Sequence, residues 1–365
     1  MRTHQWVPFV LVCLFHPAAA DAQPDFSTET IDATGNVGRY TSLALDAAGN
    51  PHITYLSLST AKSKYARHSP SGWDIEDIGF GDVTSNRALD LDSHDVPSVV
   101  MGISYGTTIA TRSNGTWTMS PVGGYGVWWS ALDIDGNDTA HIGYMWSIGS
   151  GTYQGFISYD SGDIASNLFV PQNPSCCLAI DAHNQPHLLV TPNEPDPMVL
   201  WEKQGGNWTQ HPLPVGSWGA LALDATGSFH MAYYDPVAHD LVYGRRSGGT
   251  WAFEPVDQTG DVGKYPSLEI DLTGGVHISH YDVTHGDLKY AHRAAPGGPW
   301  TQIAVVEGGD VGEWSSLRVG GTVVHVSYHD RTHGDLKYAR ASTTVPVRAS
   351  SLGRVKALYR DTKSP

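Results

Sequence analysis

The chain has 365 residues, with 40 Gly, 22 Pro, 12 Trp and 17 Tyr, and only 16% of it is charged. Such aromatic content can bury a large core, which excludes wholesale disorder; the Gly and Pro load is high for a helical protein and too low for a collagen-like one. Twenty-two Lys and Arg against 37 Asp and Glu leave a formal charge of −15, which argues against a nucleic-acid or anionic-membrane surface.

Residues 1–22 read as a secretory signal peptide. Arg2 gives a positive start, Trp6 to Phe15 a short apolar stretch, and Ala20-Asp21-Ala22 a small-x-small cleavage site. That stretch is too short to span a bilayer, and no other run reaches the length of a spanning helix. The mature chain is therefore expected to be soluble and secreted, periplasmic or at the cell surface, with no membrane span.

Residues 23–342 repeat. Anchoring each unit on the residue after a Gly or Asn turn gives His52, Ser98, His141, His187, His230, His277 and His325, spaced by 46, 43, 46, 43, 47 and 48. Six units carry an Asp six residues earlier: Asp46, Asp92, Asp135, Asp181, Asp224 and Asp271. Each unit holds four short strand signals, joined by Asp-x-x-Gly and Gly-Gly-x-Trp turns. In the sixth unit these are Ser267–Asp271, His277–Tyr281, Leu288–His292 and Trp300–Val306. Four strands at this period predict an all-β fold, a seven-bladed β-propeller of four-stranded blades. The seventh unit lacks a fourth strand. Phe26 to Asp32 matches Trp251 to Asp257 position for position, so residues 26–32 are expected to close the last blade.

The chain thus resembles exported bacterial seven-bladed β-propellers, loosely the Asp-box (BNR-like) repeat group and lectin-like propellers, over about residues 26–341. The nearest matches to the Asp-box, Ser113-Asn-Gly-Thr-Trp117 and Ser247-Gly-Gly-Thr-Trp251, lack its Asp, so the resemblance carries no expectation of sialidase chemistry.

Cys176 and Cys177 are adjacent, and two readings stand: a vicinal disulfide, or two small buried residues at the start of a strand. With no partner at metal spacing they form no zinc site. Asp133-Ile-Asp135-Gly-Asn-Asp138 lacks the distal Glu of a calcium loop and reads as a turn, so no metal or cofactor is expected. Residues 343–365 form a basic tail, with five Lys or Arg against one Asp, read either as a short docked helix or as a retention segment.

The Asp/His pairs recur in almost every unit on one face, which points to scaffold. The opposite face, called top, carries the candidate site. Two residues before each inner-strand Ser-Leu or its counterpart stand Tyr40, Asn86, Trp129, Ser175, Trp218, Tyr265 and Trp314. The five aromatics suit sugar stacking, since sugar C–H faces pack on rings while hydroxyls need polar partners. Those partners are sought in the strand two-to-three turns of units five to seven, above all His285, Asp287, His333 and Asp335. Interblade packing and self-contained turns are the plainer readings. The function expected is binding of an extracellular glycan through the top face, by a monomer. The alternatives are a polysaccharide lyase or other glycoside-active propeller using His and Tyr, as the resemblance implies, and a surface scaffold for a protein partner. Signals spread over repeats, without one unique acid–base pair, favour binding over catalysis.

Overall fold

The computed structural model describes residues 24–343 apart from 104–105, 124–126, 150–151, 160–167, 172–174, 193–195 and 205–206. The expected signal peptide and all but the first residue of the basic tail lie outside the described residues. Every regular element among them is a strand, 28 in all.

Six four-stranded antiparallel sheets are each built from consecutive strands, spanning 37–80, 89–123, 127–171, 175–215, 217–257 and 262–306, blades 1 to 6. A further four-stranded sheet, blade 7, is composite. Val311–Gly320, Val323–Asp330 and Asp335–Ser342 come from the C-terminal end and Ser27–Asp32 from the N-terminal end, outermost. Ser27 pairs with Arg340 and Asp32 with Leu336. The inner strands of the sheets touch one another in cyclic order, and the last touches the first. All seven sheets therefore stand around one axis.

The repeated residues account for this ring. In blade 6 the Asp271 carboxylate caps its turn by accepting from the Thr273 and Gly275 amides, at 2.7 and 2.8 Å. Its other oxygen lies 3.1 Å from His277 Nε2, and His277 Nδ1 lies 2.6 Å from the Tyr290 hydroxyl on the third strand. The same Asp–His–Tyr chain recurs as Asp224, His230 and Tyr243 in blade 5. In blade 2 Ser98 and Thr111 stand in its place, 2.9 Å apart. An aromatic from the next blade's outer strand packs edge-on against each such Tyr: Trp117 on Tyr65, Trp300 on Tyr243, Trp73 on Tyr338 and Phe26 on Tyr290, at 5.3 to 5.4 Å. Phe26 doing for blade 7 what a Trp does elsewhere is why the N-terminal strand fits there. The recurrent Asp and His are scaffold.

Inner strands are tied by a second repeated bond. Ser42, Ser267 and Ser316 each accept from the Leu amide of the next blade (Leu89, Leu317 and Leu43) at 3.0 Å. Cys177 occupies the same place, and its sulfur accepts from the Leu221 amide at 3.3 Å. Both cysteines are buried free thiols, which decides between the two readings of the pair. Cys177→Ser is expected to melt close to the wild type, whereas Cys177→Val leaves a buried amide unpaired at a cost of about 1–3 kcal/mol. Thermal melts giving equal losses for the two variants would refute that role.

One expectation is corrected. The sixth inner strand does not begin at Ser267 but runs Val262–Ile270. The Gly-x-Val-Gly segment itself pairs, Val262 with Asp282 and Lys264 with Tyr281, before the register jumps to Ser267 opposite Ser279. Gly263 makes this possible: its φ is +100°, and a Cβ there would lie 2.6 Å from the Leu241 backbone of the preceding blade.

Candidate functional site: the aromatic mouth of the ring

The register jump places the rim aromatics in a special backbone conformation. Tyr40, Trp218, Tyr265 and Trp314 all lie at the irregularity of their inner strands, with φ between +54° and +57°. Bulky residues rarely take positive φ, and the cost is of order 1–3 kcal/mol each. Four aromatics held this way are aimed by the fold toward the axis, not along their strands.

They meet there. Tyr265 and Trp314 have ring centroids 3.8 Å apart, Tyr40 and Trp314 4.5 Å, Trp218 and Tyr265 4.8 Å. Trp129 reaches Trp314 from the far side at 5.4 Å, and its indole N–H donates to the Cys176 carbonyl at 2.9 Å. Trp314 is 8% exposed, while Tyr40, Trp129, Trp218 and Tyr265 are half-buried. The rings thus pack mainly on one another, neither free at a rim nor sealed between blades. Trp129, Trp218, Tyr265 and Trp314 line a concave mouth together with Asn86, Arg87 and the Cys176–Cys177 backbone region. Asn86 reaches across the axis, its amide donating to the Ser315 carbonyl at 3.0 Å, and Arg87 donates to the Leu268 carbonyl at 2.6 Å. Burial pushes the Tyr265 hydroxyl up to about 12, so it stays a donor at neutral pH.

The polar partners named from sequence sit elsewhere. His285 Nδ1 lies 2.9 Å from Asp282, whose other oxygen accepts from the His285 amide at 3.2 Å. His333 repeats this with Asp330 at 2.9 Å. Asp287 accepts from the Gly308 amide at 3.3 Å, and Asp335 is half-buried. None of these four lines the mouth. Both histidines are exposed and close their own turns.

A different polar set, which sequence reasoning passed over, stands beside the aromatics at the junctions of blades 5 to 7 and 1. Tyr281 donates to Asp310 at 2.7 Å, and Arg331 lies 3.2 Å from Asp310 and 3.5 Å from Glu313. Burial raises Glu313 above the ordinary carboxylate value despite Arg331. The Lys264 ammonium sits 5.1 Å over Tyr234 and 5.8 Å over Trp218. The available signal was the position four residues after the anchor His, which reads Tyr234, Tyr281 and His329 in blades 5, 6 and 7. Among the described residues no group of three or more His, Cys, Asp or Glu is arranged to hold a metal ion.

No family model and no curated protein matches this chain. Solved structures do. A polysaccharide lyase of family PL25, an ulvan lyase bound to a GlcA- and Rha3S-containing ligand, superposes with a TM-score of 0.61 at 11% identity, covering 88% of this chain and 98% of that one. A Dyadobacter fermentans protein of unknown function gives 0.54 at 9% identity, covering 88% and 100%. The fucose-binding Aleuria aurantia lectin, described as a six-bladed β-propeller, gives 0.50 at 12% identity, covering 77% and 98%. At these identities the likeness is one of fold, and the chain is a β-propeller with lectin-like and lyase neighbours.

Proposed function

We propose that this protein is an extracellular glycan-binding module whose ligand stacks on the aromatic mouth at the top of the ring. The observation carrying the reading is the set of four aromatics held at positive φ around the axis, since strain of this kind is kept where a site needs it. The charge of −15, the proposed signal peptide at 1–22 and the lectin-like neighbours fit an exported glycan binder that works as a monomer. A glycan array on residues 23–342 tests it directly. On a ligand so found, Tyr265→Ala and Trp314→Ala are expected to lose about 2 kcal/mol, roughly thirtyfold in affinity. Trp314→Phe, which keeps a ring in the cluster, should retain much of that affinity and the wild-type melting temperature. If the Ala variants bind normally, or merely unfold, the mouth is not the site. Asp335→Ala then separates the turns from the mouth: retained binding removes the turn residues from the site.

A lyase is the second reading, favoured by one feature. His329 is 4% exposed and is pushed down to about 4 by burial, helped by the charge of Arg39, leaving a neutral imidazole on the top face, where Tyr40 and Tyr281 also stand. A neutral base, a tyrosyl acid and a guanidinium are the groups that β-elimination on a uronate requires. Ultraviolet absorbance of an unsaturated product on uronate polymers distinguishes it: a binding module produces none.

A further inference from the structure

The top face repeats one junction three times, between blades 5 and 6, 6 and 7, and 7 and 1, and the third copy is left unpaired. One position carries Tyr234, Tyr281 or His329; the facing loop carries Asp261, Asp310 or Asn36; the next inner strand carries Lys264, Glu313 or Arg39. At the first junction Tyr234 bonds His239 at 2.6 Å and Lys264 pairs with Asp261 at 3.2 Å. At the second Tyr281 bonds Asp310 at 2.7 Å, and Arg331 bridges Asp310 and Glu313. Each polar group there has a partner from the protein.

At the third junction Asn36 replaces the Asp, and the pairing lapses. His329 is buried with no hydrogen-bond partner on either ring nitrogen. Half-buried Arg39 lies over the Tyr40 ring at 4.7 Å and also reaches its hydroxyl, with no carboxylate within 4 Å among the described residues; Glu313, whose charge it feels, is engaged by Arg331. Burying an unpaired imidazole and half-burying a guanidinium that has no carboxylate both cost free energy, and both costs are offset if a ligand completes the set. The backbone is the same at all three places: the Asn36, Asp261 and Asp310 amides donate to Ser59, Thr284 and Thr332 hydroxyls at 2.6 to 2.7 Å. A missing carboxylate on an otherwise unchanged frame marks where a carboxylate from outside would sit.

We propose that the junction of blades 7 and 1 holds the anionic group of an acidic sugar, with Arg39 as its ion partner and His329 and Tyr40 as hydrogen-bond partners. The proposal rests on the glycan-binding reading and adds the charge of the ligand and the sector that reads it. Asn36→Asp is the decisive variant, because it rebuilds the self-paired state of the other two junctions in an exposed loop. Binding is measured by calorimetry with an oligogalacturonate, a sulfated uronate-free oligosaccharide and a neutral oligosaccharide of equal length. The wild type should prefer an acidic ligand at least tenfold over the neutral one. Asn36→Asp and Arg39→Gln should abolish that preference, while neutral binding and melting temperature hold. Preference for the uronate assigns a carboxylate, preference for the sulfated sugar a sulfate. Equal affinity for acidic and neutral ligands, or a preference that survives Asn36→Asp, overturns the proposal and leaves the glycan-binding reading standing. Failure of all three ligands overturns both.

Discussion

Replacing Asp32 by Ala is expected to cost 3–5 kcal/mol, roughly 10 °C in melting temperature, although the residue lies on an outer strand. Asp32 is 5% exposed at the end of the closing strand. Its carboxylate accepts from the Tyr55 hydroxyl at 2.7 Å, Lys64 at 2.6 Å and the Thr34 amide at 2.9 Å, so it ties blade 7 to blade 1. Burial alone would raise its pKa, but the Lys64 and Tyr55 bonds outweigh that and hold it below the ordinary value. Its loss strands an ammonium and a buried phenol. The rest of the strand contributes less, since Ser27 to Thr30 are exposed. Deleting residues 24–33 removes Phe26 and Ile31 as well and should be worse than Asp32→Ala. A deletion that melts like the point variant would place all of the closure energy in one side chain; one that melts like the wild type would show that the strand closes nothing.

Acid should unfold the protein well before its aspartates titrate. Burial depresses His52, His325 and His329 to about 4, and His187, His230 and His280 shift the same way. In the unfolded chain a His titrates near 6.5, so above that value both states are neutral and nothing depends on pH. Between about 6.5 and 4 the unfolded state takes up protons that the folded state refuses, and stability falls with pH. A depression from 6.5 to about 4 is worth about 3 kcal/mol per histidine, so three of them approach the whole stability of a typical domain. Exposed His285 shifts the other way, raised by Asp282, and opposes this only at the surface. Below that window the aspartates with lowered values, Asp224 at about 2 among them, extend the loss. Urea midpoints should drop steeply from pH 7 to 5. A midpoint flat across that range would mean that the buried imidazoles titrate in the folded ring as they do in the unfolded chain, with no depression.

The ring was legible because its signals are backbone chemistry repeated at a fixed period. Asp271 and His277 sit six residues apart in one turn, and that spacing reports geometry wherever it recurs. The match of Phe26 with the Trp that leads the other outer strands carried real packing information, since Phe26 packs on Tyr290 of blade 6 as Trp300 packs on Tyr243 of blade 5. The aromatic positions were likewise readable as a set. Their conformation was not: nothing in Gly-Lys-Tyr-Pro-Ser announces that Tyr265 turns to φ +54° inside a paired strand, because the register jump goes with the close approach of the preceding blade at Gly263. His285 and His333 drew attention because charge and imidazole stand close in sequence, yet three residues in a tight turn bond each other first. His329 is silent in sequence for the opposite reason. It matters through what faces it from blade 1, and Asn36 lies nearly the whole length of the ring away along the chain.

The composite sheet also sets an order of events. A chain emerging from its N-terminus presents Ser27–Asp32 before the ring's other strands, and that strand's partner, Asp335–Ser342, after all of them. Throughout synthesis the first strand has no edge to join, and every assembled blade offers one bare inner flank to solvent. Loop-closure entropy rises only slowly with length, so joining such distant segments is affordable once, at the end. The final step resembles fastening a clasp: reversible opening at that seam, next to the blade 7 and blade 1 junction, is the lowest-cost partial unfolding this ring offers, and hydrogen exchange should therefore be fastest for the amides of Thr28 and Thr30.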